Sequence, residues 1–98
     1  MESPNQDGSA TPAKDETSRI VERLNELLRD AGTDRAVAMS AVLRTQVDSR
    51  GGDDAVASAA RIGVQELSVA IGPATMNTVI ELSGLIESVG LQLEFKAS

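Results

Sequence analysis

Phe95 is the only aromatic residue in this chain of 98 residues. Aromatic side chains bury the largest area per residue, so the core must instead be built from leucine, isoleucine, valine, methionine and alanine. A single domain of this length buries only a modest core, and an aliphatic core of that size is thin. The composition therefore favours a dimer in which two copies share a core.

The chain contains no cysteine and no histidine. Catalytic triads and disulfides are excluded, and the commonest general base and the usual ligands of zinc and haem are missing. The neighbouring carboxylates of Asp53 and Asp54 are typical of the first turn of a helix, where the helix dipole favours negative charge. We therefore expect no enzyme activity, no catalytic residues, no cofactor, no metal and no small-molecule substrate.

The N-terminal residues 1–17 are polar and acidic. Lys14 opposes four acidic residues there, so this segment carries −3 of the net charge of −6. Two prolines and the lack of an apolar stripe predict a disordered acidic tail over residues 1–17, followed by a single helical domain over 18–98. No apolar run approaches the ~20 residues of a membrane span, and no signal peptide is recognisable. We expect a cytoplasmic protein without membrane contact.

Apolar residues recur every three or four positions over residues 18–31, which predicts an amphipathic helix. The stripe consists of Ile20, Leu24, Leu27 and Ala31. It fits either packing within the domain or a two-heptad dimer seam. A second helix is predicted up to residue 47, capped by Thr33 or Asp34, and the turn 48–52 ends it with two glycines.

Two short helices are predicted next, over residues 54–61 and 64–71, with Asp53 capping the first and Gly63 separating them. Small apolar residues at their contact would let the two helices cross closely: Ala57, Ala60, Ile62 and Leu67. This is the shape of a helix-turn-helix pair, although a generic helical bundle has the same pattern.

A longer apolar helix is predicted to start with the capping box 78–81 and to end at residue 89, before Gly90. Residues 91–95 then alternate strictly between apolar and polar, which predicts a short strand. A lone strand needs a partner, and no second strand is recognisable in the chain. We therefore predict a homodimer through Leu91, Leu93 and Phe95.

The order of segments over residues 54–95 resembles that of a known family. Ala55-Val56-Ala57 is followed by Glu66-Leu67-Ser68-Val69-Ala70-Ile71-Gly72-Pro73, then by the helix 78–89 and the ending Val89-Gly90-Leu91-Gln92-Leu93-Glu94-Phe95. This stretch, about 40 of the 98 residues, resembles the C-terminal part of HigA-type addiction-module antidotes, relatives of the Xre helix-turn-helix regulators. The resemblance implies a dimer that binds operator DNA through residues 64–71 and an acidic tail that folds against a toxin.

A small set of polar side chains would carry such DNA binding. Gln65 and Ser68 can hydrogen-bond base edges, and Arg44, Arg50 and Arg61 can contact phosphates. For this function the three arginines must lie on the face that carries Gln65.

The sequence thus predicts an all-α bundle with a helix-turn-helix-like pair, a short C-terminal strand and a dimeric state. Two functions remain open. One is a small antitoxin-like or phage-like transcriptional regulator that binds operator DNA as a dimer. The other is an acidic interaction module for a protein partner, such as a toxin, whose basic surface the negative charge would attract.

Overall fold

The computed structural model describes residues 12–97, with side chains from Glu16 onward. Five helices follow one another in this part of the chain. They are α1 (Pro12–Arg29), α2 (Arg35–Ser49), α3 (Asp53–Ala60), α4 (Val64–Ala70) and α5 (Pro73–Ser88). The described residues contain no strand, and the expected all-α class is confirmed.

The first helix packs against its own domain. Leu24, Leu27 and Leu28 are each at most 4% exposed, and their spacing places them on one stripe of α1. This stripe joins one core with residues of α2 and α5. Of the two interpretations left open by the sequence, packing within the domain is the one observed for these leucines.

The main core is aliphatic and rich in methionine. Met39 of α2 is fully buried, and Met76 and Ile80 of α5 close the core against the leucines of α1. Methionine is unbranched and flexible, so it fills irregular gaps between helices where an aromatic ring would need a shaped space. In this chain, methionine side chains fill core space that aromatic side chains fill in other proteins.

A second, smaller core lies beneath the two short helices. Val47 of α2, Ala57 of α3 and Leu67 of α4 are buried together, with Val56 and Ile71 at its edge. A hydrogen bond from the Ser40 hydroxyl to the carbonyl oxygen of Ile71, 2.6 Å long, ties α2 to the end of α4. These contacts fix α3 and α4 on the larger bundle.

The last helix begins at Pro73, earlier than predicted. Gly72 precedes it in an extended conformation (φ −76°, ψ 164°), and proline suits the first helical position because its missing N–H is not needed there. Thr78 lies within the helix, where its hydroxyl donates to the carbonyl oxygen of Ala74 at 3.2 Å. The predicted capping box 78–81 is therefore wrong, because the proline starts the helix more than a turn before it.

Residues 91–97 have no regular secondary structure, so the predicted strand 91–95 is wrong for the single chain. Asn25 of α1 takes the place of a partner strand. Its Nδ2 donates to the carbonyl oxygen of Phe95 at 3.1 Å, and its Oδ1 accepts the Phe95 N–H at 2.7 Å. Arg29 donates to the carbonyl oxygen of Leu93 at 3.1 Å. Side chains of α1 thus provide the hydrogen bonds that the sequence analysis assigned to a second copy.

Two other boundaries differ from the sequence prediction. Residues 12–17 of the predicted disordered tail belong to α1, and residues 1–11 lie outside the described residues. A proline followed by alanine and lysine suits a first helical turn. Gly52, not Asp53, precedes α3, and no side-chain hydrogen bond caps that helix.

Within residues 12–97, no single helix has the length and apolar composition of a membrane span. Only α4 and α5 taken together pass such a test, and their axes are bent by 51° at the break between them.

Candidate nucleic-acid interface

The connection between α3 and α4 is held by two backbone hydrogen bonds. The N–H of Ile62 donates to the carbonyl oxygen of Ala57 at 3.0 Å, and the N–H of Arg61 donates to that of Ser58 at 3.1 Å. This pair of bonds is the Schellman motif, which requires a left-handed residue just after the helix. Arg61 is that residue, with φ 61° and ψ 43°.

Glycine usually occupies this position, and this chain follows that preference elsewhere. Gly90, with φ 87°, follows α5 in the same motif. The N–H of Gly90 donates to the carbonyl oxygen of Glu87 at 3.0 Å, and the N–H of Leu91 donates to that of Ile86 at 3.1 Å. Arg61 is the only non-glycine residue with positive φ in the described part of the chain. A side chain in this conformation is strained, because its Cβ crowds the following carbonyl. The turn therefore holds a cationic side chain at a conformational cost.

The contact between α3 and α4 uses two of the four apolar residues predicted for it. Ala57 and Leu67 are 1% and 5% exposed, respectively. Ala60 is exposed, and Ile62 retains 37% of its surface in solvent. At the start of α4, the Glu66 carboxylate accepts the N–H of Gly63 at 2.7 Å. The Glu66 side chain thus caps α4 and lies at the N-terminus of this helix.

The outer side of α4 is open to solvent. Gln65 and Ser68, predicted to contact bases, are both exposed. Val64 and Val69 accompany them with 42% and 69% of their surface exposed. A shallow apolar hollow of about 370 Å³ lies beside Gln65, Glu66, Val69 and Ala70. This side of α4 therefore offers a mixed polar and apolar surface.

The three arginines proposed to contact phosphates differ in their surroundings. Arg44 forms an ion pair with Asp53 and a second with Asp48, the latter at 3.6 Å. The hydrogen bond to Asp53 is the main reason why the pKa of Arg44 is raised above its ordinary value. This pair links α2 to the first turn of α3. Arg50 and Arg61 are exposed and have no carboxylate within 4.0 Å among the described residues.

The charge of this region is close to balanced. Between Arg44 and Ala70 the chain has three arginines and four acidic residues. Two of those acids, Asp48 and Asp53, are held by Arg44, which leaves Arg50 and Arg61 as the cations available to an anionic partner.

The three residues predicted for dimerisation differ in their exposure to solvent. Leu91 is 65% exposed, whereas Leu93 and Phe95 are half-buried against the core of their own chain. A second apolar face, on α5 and the residue that follows it, was not predicted from the sequence. Its members are Leu82, Leu85 and Val89, which are 46%, 62% and 67% exposed. Their spacing of three and four residues places them on one side of the helix, away from buried Met76 and Ile80.

One signal in the sequence pointed to this second face. The segment 79–89 was the most apolar of the chain, and more apolar positions occur there than one buried stripe accommodates.

Among the described residues, no cluster of acidic side chains is arranged to hold a metal ion. Comparison with protein-family models, with curated proteins and with solved structures gives no match to this chain.

Proposed function

We propose that the protein is a small DNA-binding regulator that contacts a duplex through the exposed side of α4 and binds as a homodimer. Arg61 carries the proposal. A cation occupies the left-handed turn before α4, where glycine would be less strained. Strained positions of this kind are found at functional sites, where the side chain matters more than the local cost. The resemblance of residues 54–95 to HigA-type antidotes supports the same function.

Each polar side chain has a distinct part in this proposal. Gln65 and Ser68 face solvent on α4 and would hydrogen-bond base edges. Arg61 and Arg50, both exposed and without an ion pair among the described residues, would contact phosphates. Arg44 would act indirectly, because its ion pair with Asp53 holds α3, and therefore α4, on α2.

The homodimer would form through α5 and not through paired strands. Leu82, Leu85 and Val89, followed by Leu91, leave an apolar stripe in solvent on a helix that already buries its opposite side. Exposed apolar patches of this kind mark interaction surfaces. Pairing this stripe with that of a second copy would cover it and present two α4 helices to two half-sites.

Binding to duplexes selected from a random library, measured at several salt concentrations, tests the function. Gln65→Ala should weaken binding to the preferred sequence by about 1–3 kcal/mol and leave other sequences unaffected. Arg61→Gly should weaken binding to every sequence and reduce the salt dependence by about one phosphate contact. The same variant should be about 0.5–1 kcal/mol more stable, because glycine removes the strain of the left-handed turn.

Arg61→Gly should raise the stability of the protein and lower its affinity for DNA, and these opposite effects are the most specific result of this test. Arg19→Gln, which removes a cation from the exposed surface of α1, is the matched control and should change neither quantity appreciably. If the wild-type protein binds no duplex at ~50 mM salt, where phosphate attraction is strong, DNA binding is excluded.

A protein partner is the second candidate, and the exposed valines of α4 favour it. Val69 is 69% exposed beside an apolar hollow, and an exposed apolar surface of this kind suits a protein partner. A toxin or other basic protein would bury Val64 and Val69. Val69→Ser removes the apolar contact without adding a negative charge that would itself repel DNA, so it should weaken binding of the protein partner and leave DNA binding to Gln65 and the arginines.

A further inference from the structure

A cleft of about 350 Å³ lies where α1 ends, α2 begins and the second half of α5 passes. This volume is in the range of small-ligand sites. Leu28 of α1 and Ile80 of α5, both buried, contribute its apolar floor. The cleft takes no part in the proposed contacts of α4, so it needs a separate explanation.

Ser83 lines this cleft and is 2% exposed. Its hydroxyl has no hydrogen-bond partner among the described residues, and it is the only buried polar side chain there. A serine or threonine inside a helix commonly donates to the carbonyl one turn earlier, as Thr78 does in this same helix at 3.2 Å. A buried hydroxyl without a partner is unfavourable, so a group bound in the cleft would stabilise it.

Charges of both signs surround the cleft. Arg29 and Arg35 line it, and neither pairs with a carboxylate among the described residues. Main-chain carbonyl oxygens anchor both guanidinium groups, those of Asn25 and Leu93 for Arg29 and that of Asp30 for Arg35. An anchored guanidinium keeps further N–H donors for an anion. Glu87 supplies one negative charge to the same cleft.

Gly84 forms part of the cleft wall, and a Cβ atom added to it would meet no atom within 4 Å. Glycine inside a helix is unfavourable relative to alanine, and close helix packing does not explain it here. The missing side chain keeps the wall beside Ser83 open.

We propose that this cleft binds a small zwitterion with an aliphatic side chain, which is the chemistry of a free aliphatic amino acid. The carboxylate would meet Arg29 and Arg35 and would accept a hydrogen bond from the Ser83 hydroxyl. The ammonium group would meet Glu87, and the side chain would lie on Leu28 and Ile80. This inference stands independently of DNA binding.

Three ligands with the same branched aliphatic side chain test the carboxylate and the ammonium group separately. The full-length, ¹⁵N-labelled protein is titrated with L-leucine, with 4-methylpentanoate, which lacks the ammonium group, and with 3-methylbutylamine, which lacks the carboxylate. Leucine should shift the amide signals of Ser83 and Gly84, and each analogue should bind about tenfold more weakly or worse. No shift with leucine up to millimolar concentrations overturns the proposal, and so does equal binding of all three ligands.

Substitutions add a control for charge and a control for folding. Arg35→Gln should weaken leucine binding about tenfold, whereas Arg19→Gln, on a different part of α1, should leave it within about twofold. Equal loss in both variants would show a general charge effect and overturn the site. Gly84→Leu should abolish binding without unfolding the protein, because leucine is the better helix former.

Ser83→Ala separates a ligand-binding role from a structural one. If the hydroxyl lacks a partner in the free protein, alanine should raise the melting temperature and at the same time weaken leucine binding several-fold. A lower melting temperature with unchanged leucine affinity would assign the hydroxyl to the fold and remove it from the site, which would overturn the proposal.

Discussion

At the scale of single residues, Asn25 shows how one side chain can replace an element of secondary structure. A side-chain amide carries the same donor and acceptor as a peptide group. The two hydrogen bonds between Asn25 and Phe95, 70 residues apart, therefore equal one rung of a sheet. Through them, and through Arg29, the C-terminal segment is held on α1 with its half-buried Leu93 and Phe95 facing the core.

Removing the Asn25 amide should release this segment. We expect Asn25→Leu to destabilise the protein by about 1–2 kcal/mol, because two partly buried hydrogen bonds are lost. Asn25→Asp keeps the acceptor for the Phe95 N–H and loses the donor, so its loss of stability should be smaller. Urea unfolding measures both values, and amide exchange at Phe95 reports the release directly.

Asn77→Leu provides the matched control for Asn25→Leu. Asn77 lies exposed on α5 and makes only a 3.5 Å contact to Glu81. Its substitution should change stability by less than about 0.5 kcal/mol. Equal effects at both positions would show that the Asn25 pair contributes nothing specific.

Nothing in the local sequence distinguishes Asn25 from the polar face of an ordinary amphipathic helix. The same holds for Arg44, which the sequence analysis assigned to phosphate contacts and which the structure pairs with Asp48 and Asp53. Both roles depend on which residues the fold brings close, and the periodicity of one helix carries no information about that. Gln65 and Ser68 are exposed, as contact with bases would require, and their role in DNA binding stays a prediction.

At the scale of elements, α5 departs most from its sequence prediction. Two start signals compete in this segment, the proline at 73 and the threonine–glutamate pair of 78–81. The proline starts the helix, because residues 73–77 then add Met76 to the core. Thr75 strengthens the junction by donating from its hydroxyl to the carbonyl oxygen of Val69 at 2.7 Å.

Two threonine-to-alanine substitutions distinguish the start sites. Thr78→Ala should leave stability unchanged or raise it by about 0.5 kcal/mol, because alanine is the better residue inside a helix. If Thr78 were the cap, the same change would cost about 1 kcal/mol.

Thr75→Ala should lower stability by about 1 kcal/mol, through loss of the hydrogen bond to Val69. Thermal or urea unfolding of the two variants side by side gives the comparison. A destabilised Thr78→Ala together with an unaffected Thr75→Ala would contradict the observed start of α5.

At the scale of the whole molecule, the question is how a thin aliphatic core is sufficient. The main core of one chain consists of six buried residues: Leu24, Leu27, Leu28, Met39, Met76 and Ile80. Four further apolar residues stay exposed to solvent on α5 and just after it: Leu82, Leu85, Val89 and Leu91. The proposed dimer would cover that second set. The homodimer therefore stays a prediction, and its proposed interface lies on α5 and not on the C-terminal segment.

Leu85→Lys tests this dimer. Leu85 is 62% exposed, so a lysine there should leave the helical content of the chain unchanged while it charges the centre of the stripe. We expect the wild-type protein to be a dimer in light scattering at about 50 µM, because interfaces of ordinary size have micromolar or tighter dissociation constants. Leu85→Lys should be a monomer.

Val37→Lys is the matched control for this test. Val37 is 58% exposed on α2, outside the stripe, and its substitution should leave the dimer intact. A monomeric wild-type protein at this concentration, or dissociation by Val37→Lys but not by Leu85→Lys, would contradict an interface through α5.

Local sequence patterns specify the helical class, the stripe of α1 and most of the breaks between helices, because periodicity and glycine act over a few neighbouring residues. Gly63 and Gly90 mark ends that the structure also has. The partners of residues 91–95 and of Arg44, and the burial of Ser83, depend on packing between distant parts of the chain. Alternation along a segment shows which side chains point the same way, but the partner of its peptide groups lies 70 residues away on α1. Packing between distant residues therefore settled what the local pattern left open.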